Sequence, residues 1–317
     1  MRLIATGEER IDRYLAKSLQ EPRSQVEQLI KKGCVKVDGV VVKKGGFKVK
    51  EGQEIWIDFP KIQKSEPKNV DFDIERLYED EEILVLNKPA GVVIHPAPSV
   101  NEPTLVDWLK KEGVSLSTLS GEERHGIVHR LDKETSGVMV VAKSNKAHEH
   151  LAKQLKDRTM GRYYLAIIEP PLKDDLWIEK PIARNPKNRL KMGIVEGGRD
   201  AKTYFKRLVL SNDEKKQLIA AKLYTGRTHQ IRVHLASINR HILGDTLYGF
   251  KSQKDTIPRV FLHAYILYLI HPTTKKRMRF IAPVPQDMWG YLKENFDMER
   301  VDETIETDTL AGTLDLL

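Results

Sequence analysis

The sequence predicts an α+β protein: a mixed, mostly antiparallel β-sheet flanked by helices, preceded by a small α+β unit. Three observations carry this. After residue 71, strand-like and helix-like stretches interleave irregularly, without the βαβ repeat of a doubly wound sheet. Near the N-terminus, Asp38-Gly39 stands between the apolar runs Val35-Lys-Val37 and Val40-Val-Val42, a hairpin signal. The chain has 317 residues, 40% of them hydrophobic, which is enough for two cores.

The elements can be justified in chain order. Ile11, Leu15 and Leu19 repeat every four residues and stripe one face of a helix. Ser24 with Glu27 three residues on resembles a capping box for a second helix, whose apolar face is Val26, Leu29 and Ile30 and which Gly33 can end. After the hairpin, Glu54–Asp58 reads as a closing strand, so the first unit spans residues 1–60. Residues 61–70 form a polar linker punctuated by Pro67. The second unit spans residues 71–300. Its strand-like runs are Ile83–Leu86, Val138–Ala142, Tyr163–Ile168, Gln217–Leu223 and Phe261–Ile270, and its helical candidates are Thr104–Glu112, Asn145–Lys156, Gln230–Ser237 and Gln286–Asn295. Residues 301–317 read as an acidic, disordered tail.

Charge narrows the partner. The net charge is +8, but residues 297–317 hold seven acids against Arg300, which leaves the first 296 residues at +14. A body that basic points to a polyanion such as nucleic acid. No apolar run reaches the ~20 residues needed to cross a bilayer, and the N-terminus has no signal-peptide stretch. We therefore expect a cytoplasmic protein. The lone Cys34 excludes an internal disulfide and a multi-cysteine zinc site. His229 and His234 are five apart, off the four-residue spacing of helical zinc ligands, and neither a phosphate loop nor a Gly-x-Gly-x-x-Gly string occurs. We expect no metal and no cofactor.

The informative stretch is His129-Arg-Leu-Asp-Lys-Glu-Thr-Ser-Gly137, leading into Val138-Met-Val-Val-Ala142. Thr135 and Ser136 can bond backbone groups and stiffen a turn, Gly137 allows close backbone approach, and Asp132 then sits at the edge of a buried strand. By themselves these residues also fit a purely structural turn.

The string resembles the motif of the RluA-type RNA pseudouridine synthase family: His-Arg-Leu-Asp, two variable residues, then Thr-Ser-Gly. Further matches are Leu86-Asn-Lys-Pro-Ala-Gly91, Arg162-Tyr-Tyr-Leu-Ala166, Leu223 to Leu235 around Gly-Arg-Thr-His-Gln-Ile-Arg232, Gly244-Asp-Thr-Leu-Tyr-Gly249 and Leu262-His-Ala264. Together they span about residues 75–295. The resemblance implies that Asp132 is the catalytic carboxylate, acting at C1′ of a flipped-out uridine as nucleophile or base, without a cofactor. It implies that Arg232 pairs with Asp132, with Arg227 the competing arginine and an RNA contact. Tyr164 would lie against the uracil, Leu262 and His129 would line its pocket, and Arg130 would fill the gap left in the RNA stack. Lys88, Thr225 and Gln230 would help hold loops or RNA.

The first unit resembles an S4 RNA-binding domain through Arg10-Ile-Asp-Arg-Tyr-Leu15, Leu29-Ile-Lys-Lys-Gly33, Val35-Lys-Val-Asp-Gly39 and Glu51-Gly-Gln-Glu-Ile55. That resemblance makes Arg23, Lys31, Lys32 and Lys36 a strip for RNA phosphates. An S4 unit with a chain of this length is similar to the large-subunit (23S) ribosomal RNA synthases of the RluC and RluD sort. His129 stands where the related small-subunit group has glycine. The expected partner is therefore ribosomal RNA bound by a monomer. A transfer RNA substrate, or a non-catalytic ribosome assembly factor, are the alternatives.

Overall fold

The structure is a computed structural model that describes residues 1–19, 23–58, 69–97, 100–114, 116–117, 126–249, 257–306 and 310. The chain divides into two units, Met1–Glu66 and Pro67–Leu317. Most of the expected linker, residues 61–68, lies outside the described residues.

In the first unit, β1 (Arg2–Ile4) and β2 (Glu9–Arg10) precede α1 (Ile11–Leu19) and α2 (Arg23–Lys31). The strands β3 (Val35–Val37), β4 (Val40–Val41), β5 (Lys48–Val49) and β6 (Glu54–Ile57) follow. Four of them pair in the order β1-β6-β3-β4, and β2 pairs with β5. Ile11, Leu15, Val26 and Ile30 bury the helix faces against Val35, Val37, Ile55 and Ile57. Asp38 and Gly39 both adopt positive φ, 48° and 82°, as a tight hairpin turn requires. Gly33 ends α2 at φ 74°, its N–H bonded to Ile30 O. Because α2 already includes Arg23, Ser24 is a helical residue and not its cap; its side chain lies outside the described residues.

The second unit contains β7 (Glu75–Glu79), β8 (Ile83–Lys88), α3 (Leu105–Lys111), β9 (Ser136–Ala142), α4 (Asn145–Asp157) and β10 (Gly161–Glu169). Next come β11 (Leu176–Glu179), β12 (Ile182–Arg184), β13 (Met192–Ile194), β14 (Lys202–Leu210) and β15 (Gln217–Leu223). The chain continues with α5 (Gln230–Ala236), β16 (His241–Ile242), β17 (Leu262–Ile270), β18 (Arg277–Ile281), α6 (Gln286–Asn295) and α7 (Met298–Ile305). A ten-stranded sheet runs β11-β14-β15-β10-β17-β9-β8-β7, with β16 beside β10 and β18 beside β17. Every pairing in it is antiparallel except β9 with β17. All seven residues of β9 are buried, and α4 covers the sheet with Ala147 and Leu151. Strands β11 to β14 were not visible in the sequence reading. β11 and β14 pair at one edge of the sheet, β12 and β13 pair with each other in a separate two-stranded ribbon, and these strands mix exposed and buried residues irregularly, for instance in β14.

One expectation fails. The chain does not become a disordered tail at Val301: α7 is capped by Asp297, and Val301, Ile305 and Leu310 join the core. The acids occupy the outer face of an amphipathic helix, and charge counting alone could not separate that face from a tail. Residues 307–309 and 311–317 lie outside the described residues.

The β9–β17 contact depends on one glycine. Gly137 has φ 115°, and a Cβ there would lie 2.1 Å from the Ala264 carbonyl oxygen. Gly137→Ala should therefore cost about 3 kcal/mol or more, read as a lowered melting temperature. A melt within about 2 °C of the parent would show that the strands part easily at that point.

Candidate active site

Asp132 lies in the loop that feeds β9, and buried groups fix this loop. The Lys88 ammonium donates to the carbonyls of Lys133 (3.1 Å), Pro89 (2.7 Å) and Val92 (3.0 Å), and Gly91 N–H also bonds to Lys133 O at 2.8 Å. Burial lowers the pKa of Lys88 to about 7. The Asp132 side chain remains 17% exposed and opens into a cavity of about 690 Å³.

The sheet supplies the cavity floor. Side chains at i and i+2 of a strand share a face, so Arg162 and Tyr164 of β10 project together. Leu262 pairs with Ala166 on the neighbouring strand and lines the same space. Tyr164 is buried, and burial raises its pKa, so the phenol stays protonated at neutral pH.

The loop between β15 and α5 supplies the wall. Gln230 staples it: its carbonyl oxygen accepts from Thr225 Oγ1 (2.7 Å) and Arg227 N–H (3.0 Å), while its amide donates to Lys202 O (3.0 Å) and Thr203 Oγ1 (2.8 Å). This brings Arg232 of α5 to Asp132, Nη1 to Oδ2 at 3.5 Å. Arg227 also lines the cavity but donates to Asp200 O at 2.8 Å. Of the two competing arginines, Arg232 makes the contact with the carboxylate.

Behind Arg232 lies an acid to which the sequence reading gave no role. Asp245, 1% exposed, accepts from Arg232 Nε at 2.7 Å and Nη2 at 2.9 Å. Burial works against the Arg232 charge, but the bonds and field of Asp245, with Asp132 adding to them, outweigh it and raise its pKa. The Tyr248 ring lies 5.0 Å from the same guanidinium, and its hydroxyl meets His229 Nδ1 at 2.9 Å. His229 in turn sits 3.9 Å from Asp132. Asp245 and Tyr248 both stand in the Gly244–Gly249 string, so the only sequence signal for them was that match.

Among the described residues, the cavity lining holds seven basic side chains (Arg130, Lys156, Arg158, Arg162, Arg199, Arg227 and Arg232) against one carboxylate, Asp132. Lys156, Arg158 and Arg199 were not anticipated; they come from the end of α4 and from a loop far away in sequence. His129 also lines the cavity, with its pKa pushed down to about 3 by burial and by Arg162. In the first unit, Lys31, Lys32 and Lys36 are exposed. Arg23 is committed to the buried Asp12, at 2.6 Å and 2.9 Å. No group of residues able to hold a metal ion occurs among the described residues, and none of their helices is long and apolar enough to cross a membrane.

A cationic pocket around one carboxylate, on an antiparallel sheet, is a site for chemistry on a polyanion. Comparison with known proteins gives the class. Residues 82–237 match the family model described as RNA pseudouridylate synthase, and residues 9–55 match the S4 domain. A Helicobacter pylori protein described as an uncharacterized RNA pseudouridine synthase is 47% identical over 96% of this chain and 95% of its own length. The ribosomal large subunit pseudouridine synthase D of Zymomonas mobilis is 39% identical over 88% of this chain and 91% of its own. Human RNA pseudouridylate synthase domain containing 4 matches in structure with a TM-score of 0.53 and 25% identity, over 69% of this chain and 91% of that one. The chain belongs to the RNA pseudouridylate synthase family and carries an S4 domain at its N-terminus.

Proposed function

We propose that this RNA pseudouridine synthase acts on large-subunit ribosomal RNA, and that Asp132 carries the reaction. The observation behind the second part is the Asp132–Arg232 contact inside a basic cavity floored by Tyr164 and Leu262. In this reading a uridine leaves its stack and its uracil lies on Tyr164, which offsets about 1–3 kcal/mol of lost stacking. Leu262 forms an apolar wall and His129 closes the pocket. Asp132 reaches C1′ as nucleophile or base, with the Arg232 guanidinium beside it at 3.5 Å. The C1′–N1 bond breaks, the ring turns, C5 bonds to C1′, and the C5 proton leaves. Arg130 and Arg227 hold the RNA around the vacated position.

The ribosomal substrate is supported by the likeness to large-subunit synthases and by the S4 unit. The experiment is to map pseudouridines in 23S ribosomal RNA from a deletion strain and to restore them with the purified protein. Sites lost from transfer RNA instead would redirect the proposal.

In the S4 unit, Lys31, Lys32 and Lys36 are assigned to phosphates, and Arg23, paired with Asp12, to holding the helices. Changing the three lysines to glutamine should weaken binding of folded RNA and flatten its dependence on log salt by roughly 2. An unchanged slope would remove the strip from the interface.

A further inference from the structure

We propose that Arg162 is a catalytic residue that binds the carbonyl edge of the uracil and takes up negative charge as the glycosidic bond breaks. This rests on reading the Asp132 cavity as the uridine site.

The observation is a buried cation without an anion. Arg162 is 8% exposed, and its Nε is buried without a hydrogen-bond partner. Its guanidinium makes no hydrogen bond or ion pair with any described residue, in contrast to Arg232, which has two carboxylates within reach. Burial lowers the pKa of Arg162, with the Tyr164 phenol opposing. The guanidinium is packed tightly: a Cβ on Gly226 would lie 2.6 Å from Arg162 Nη1. An unpaired buried charge is costly, so its retention implies a partner that arrives with the substrate.

A second donor stands beside it. His129 Nε2 accepts the Val140 N–H at 3.1 Å, so the neutral ring carries its proton on Nδ1, which is buried and unpartnered. Both donors line the Asp132 cavity.

Burial decides what they bind. Phosphates stay with the RNA backbone at the rim, where Arg130, Lys156, Arg158 and Arg199 are exposed. Arg162 lies roughly 6–7 Å along the strand from Tyr164, at the edge of a ring stacked on that tyrosine. When C1′–N1 breaks, its electron pair stays on the base, and the resulting uracilate spreads charge over N1, O2 and O4. The pair made available in the ring then forms C5–C1′, the C5 proton is lost, and N1 gains one. A fixed cation at the carbonyl edge favours the anion over neutral uracil and so acts on the transition state.

The test compares Arg162→Met and Arg162→Lys with the parent in single-turnover tritium release from [5-³H]uridine-labelled RNA, in RNA affinity and in thermal melting. For Arg162→Met we expect a rate loss of about 10²–10³-fold, affinity within about threefold, and a melting temperature raised by roughly 2–4 °C as the unpaired charge goes. Lysine should restore part of the rate. With 5-fluorouridine, whose anion is more stable, the defect should shrink when substrate loss is followed in nuclease digests. An intact rate with weaker, less salt-dependent binding would make Arg162 a phosphate contact and overturn the proposal. So would lost rate with a lowered melting temperature in both variants, which would make it a fold support. If Asp132→Ala still releases tritium in the same assay, the underlying reading of the cavity fails instead.

Discussion

Asp132→Asn loses pseudouridine formation by on the order of 10⁴-fold or more, while the protein folds and binds RNA as before. Asparagine has nearly the same shape, so the loop held by Lys88 through the Lys133, Pro89 and Val92 carbonyls remains in place. What disappears is the only negative charge in a cavity lining with seven basic side chains among the described residues. Affinity for RNA should stay level or rise slightly, because the repulsion between the carboxylate and phosphate is gone. Tritium release and binding, measured on the same preparation, separate the two effects. A residual rate within about tenfold of the parent would remove Asp132 from the chemistry and leave the motif a structural turn.

The second large effect lies one residue further from the substrate. Asp245→Ala should destabilise the fold by about 3–5 kcal/mol, because it strands a buried guanidinium, with a melting temperature lower by roughly 10 °C. Asp245 accepts two bonds from Arg232 and also the backbone N–H groups of Leu247 (3.1 Å) and Tyr248 (3.0 Å), so its loss loosens the turn as well. Activity should fall together with stability, since Arg232 is then free to swing onto Asp132 or away from it. Asp245→Glu tests the positioning role: a longer carboxylate that recovers stability but not rate shows that the placement of Arg232 matters, not only its charge balance. A stable, active Asp245→Ala protein would show that Asp132 alone can hold the arginine.

The sequence made local features legible and left long-range ones hidden. The helix stripe of Ile11, Leu15 and Leu19 and the Asp38-Gly39 turn depend on neighbours a few residues away, and both appear in the structure. Strands β8, β9, β10, β15 and β17 were visible because they are central and almost wholly apolar. Edge strands such as β11 and the short β12–β13 pair carry no comparable run. In the site, the meeting of Asp132 with Arg232 followed from family resemblance, since spacing in sequence cannot state a contact across 100 residues. The roles of Asp245, Arg158 and Arg199 were hidden for the same reason: each is an ordinary charged residue until the fold brings Arg158 and Arg199 to the cavity and Asp245 to the Arg232 guanidinium behind it.

The lone parallel ladder between β9 and β17 has a consequence for assembly. It is only two residue pairs long, His263 with Ser136 and Ala264 with Gly137. On one side of this seam lies the leaf β7-β8-β9, whose leading loop bears the carboxylate; on the other lies the leaf that bears Tyr164 and Leu262. A nascent chain that ends before residue 262 has Asp132 and Arg232 already synthesised but lacks the strand that joins the two leaves, so the contact between them should form only once β17 has emerged.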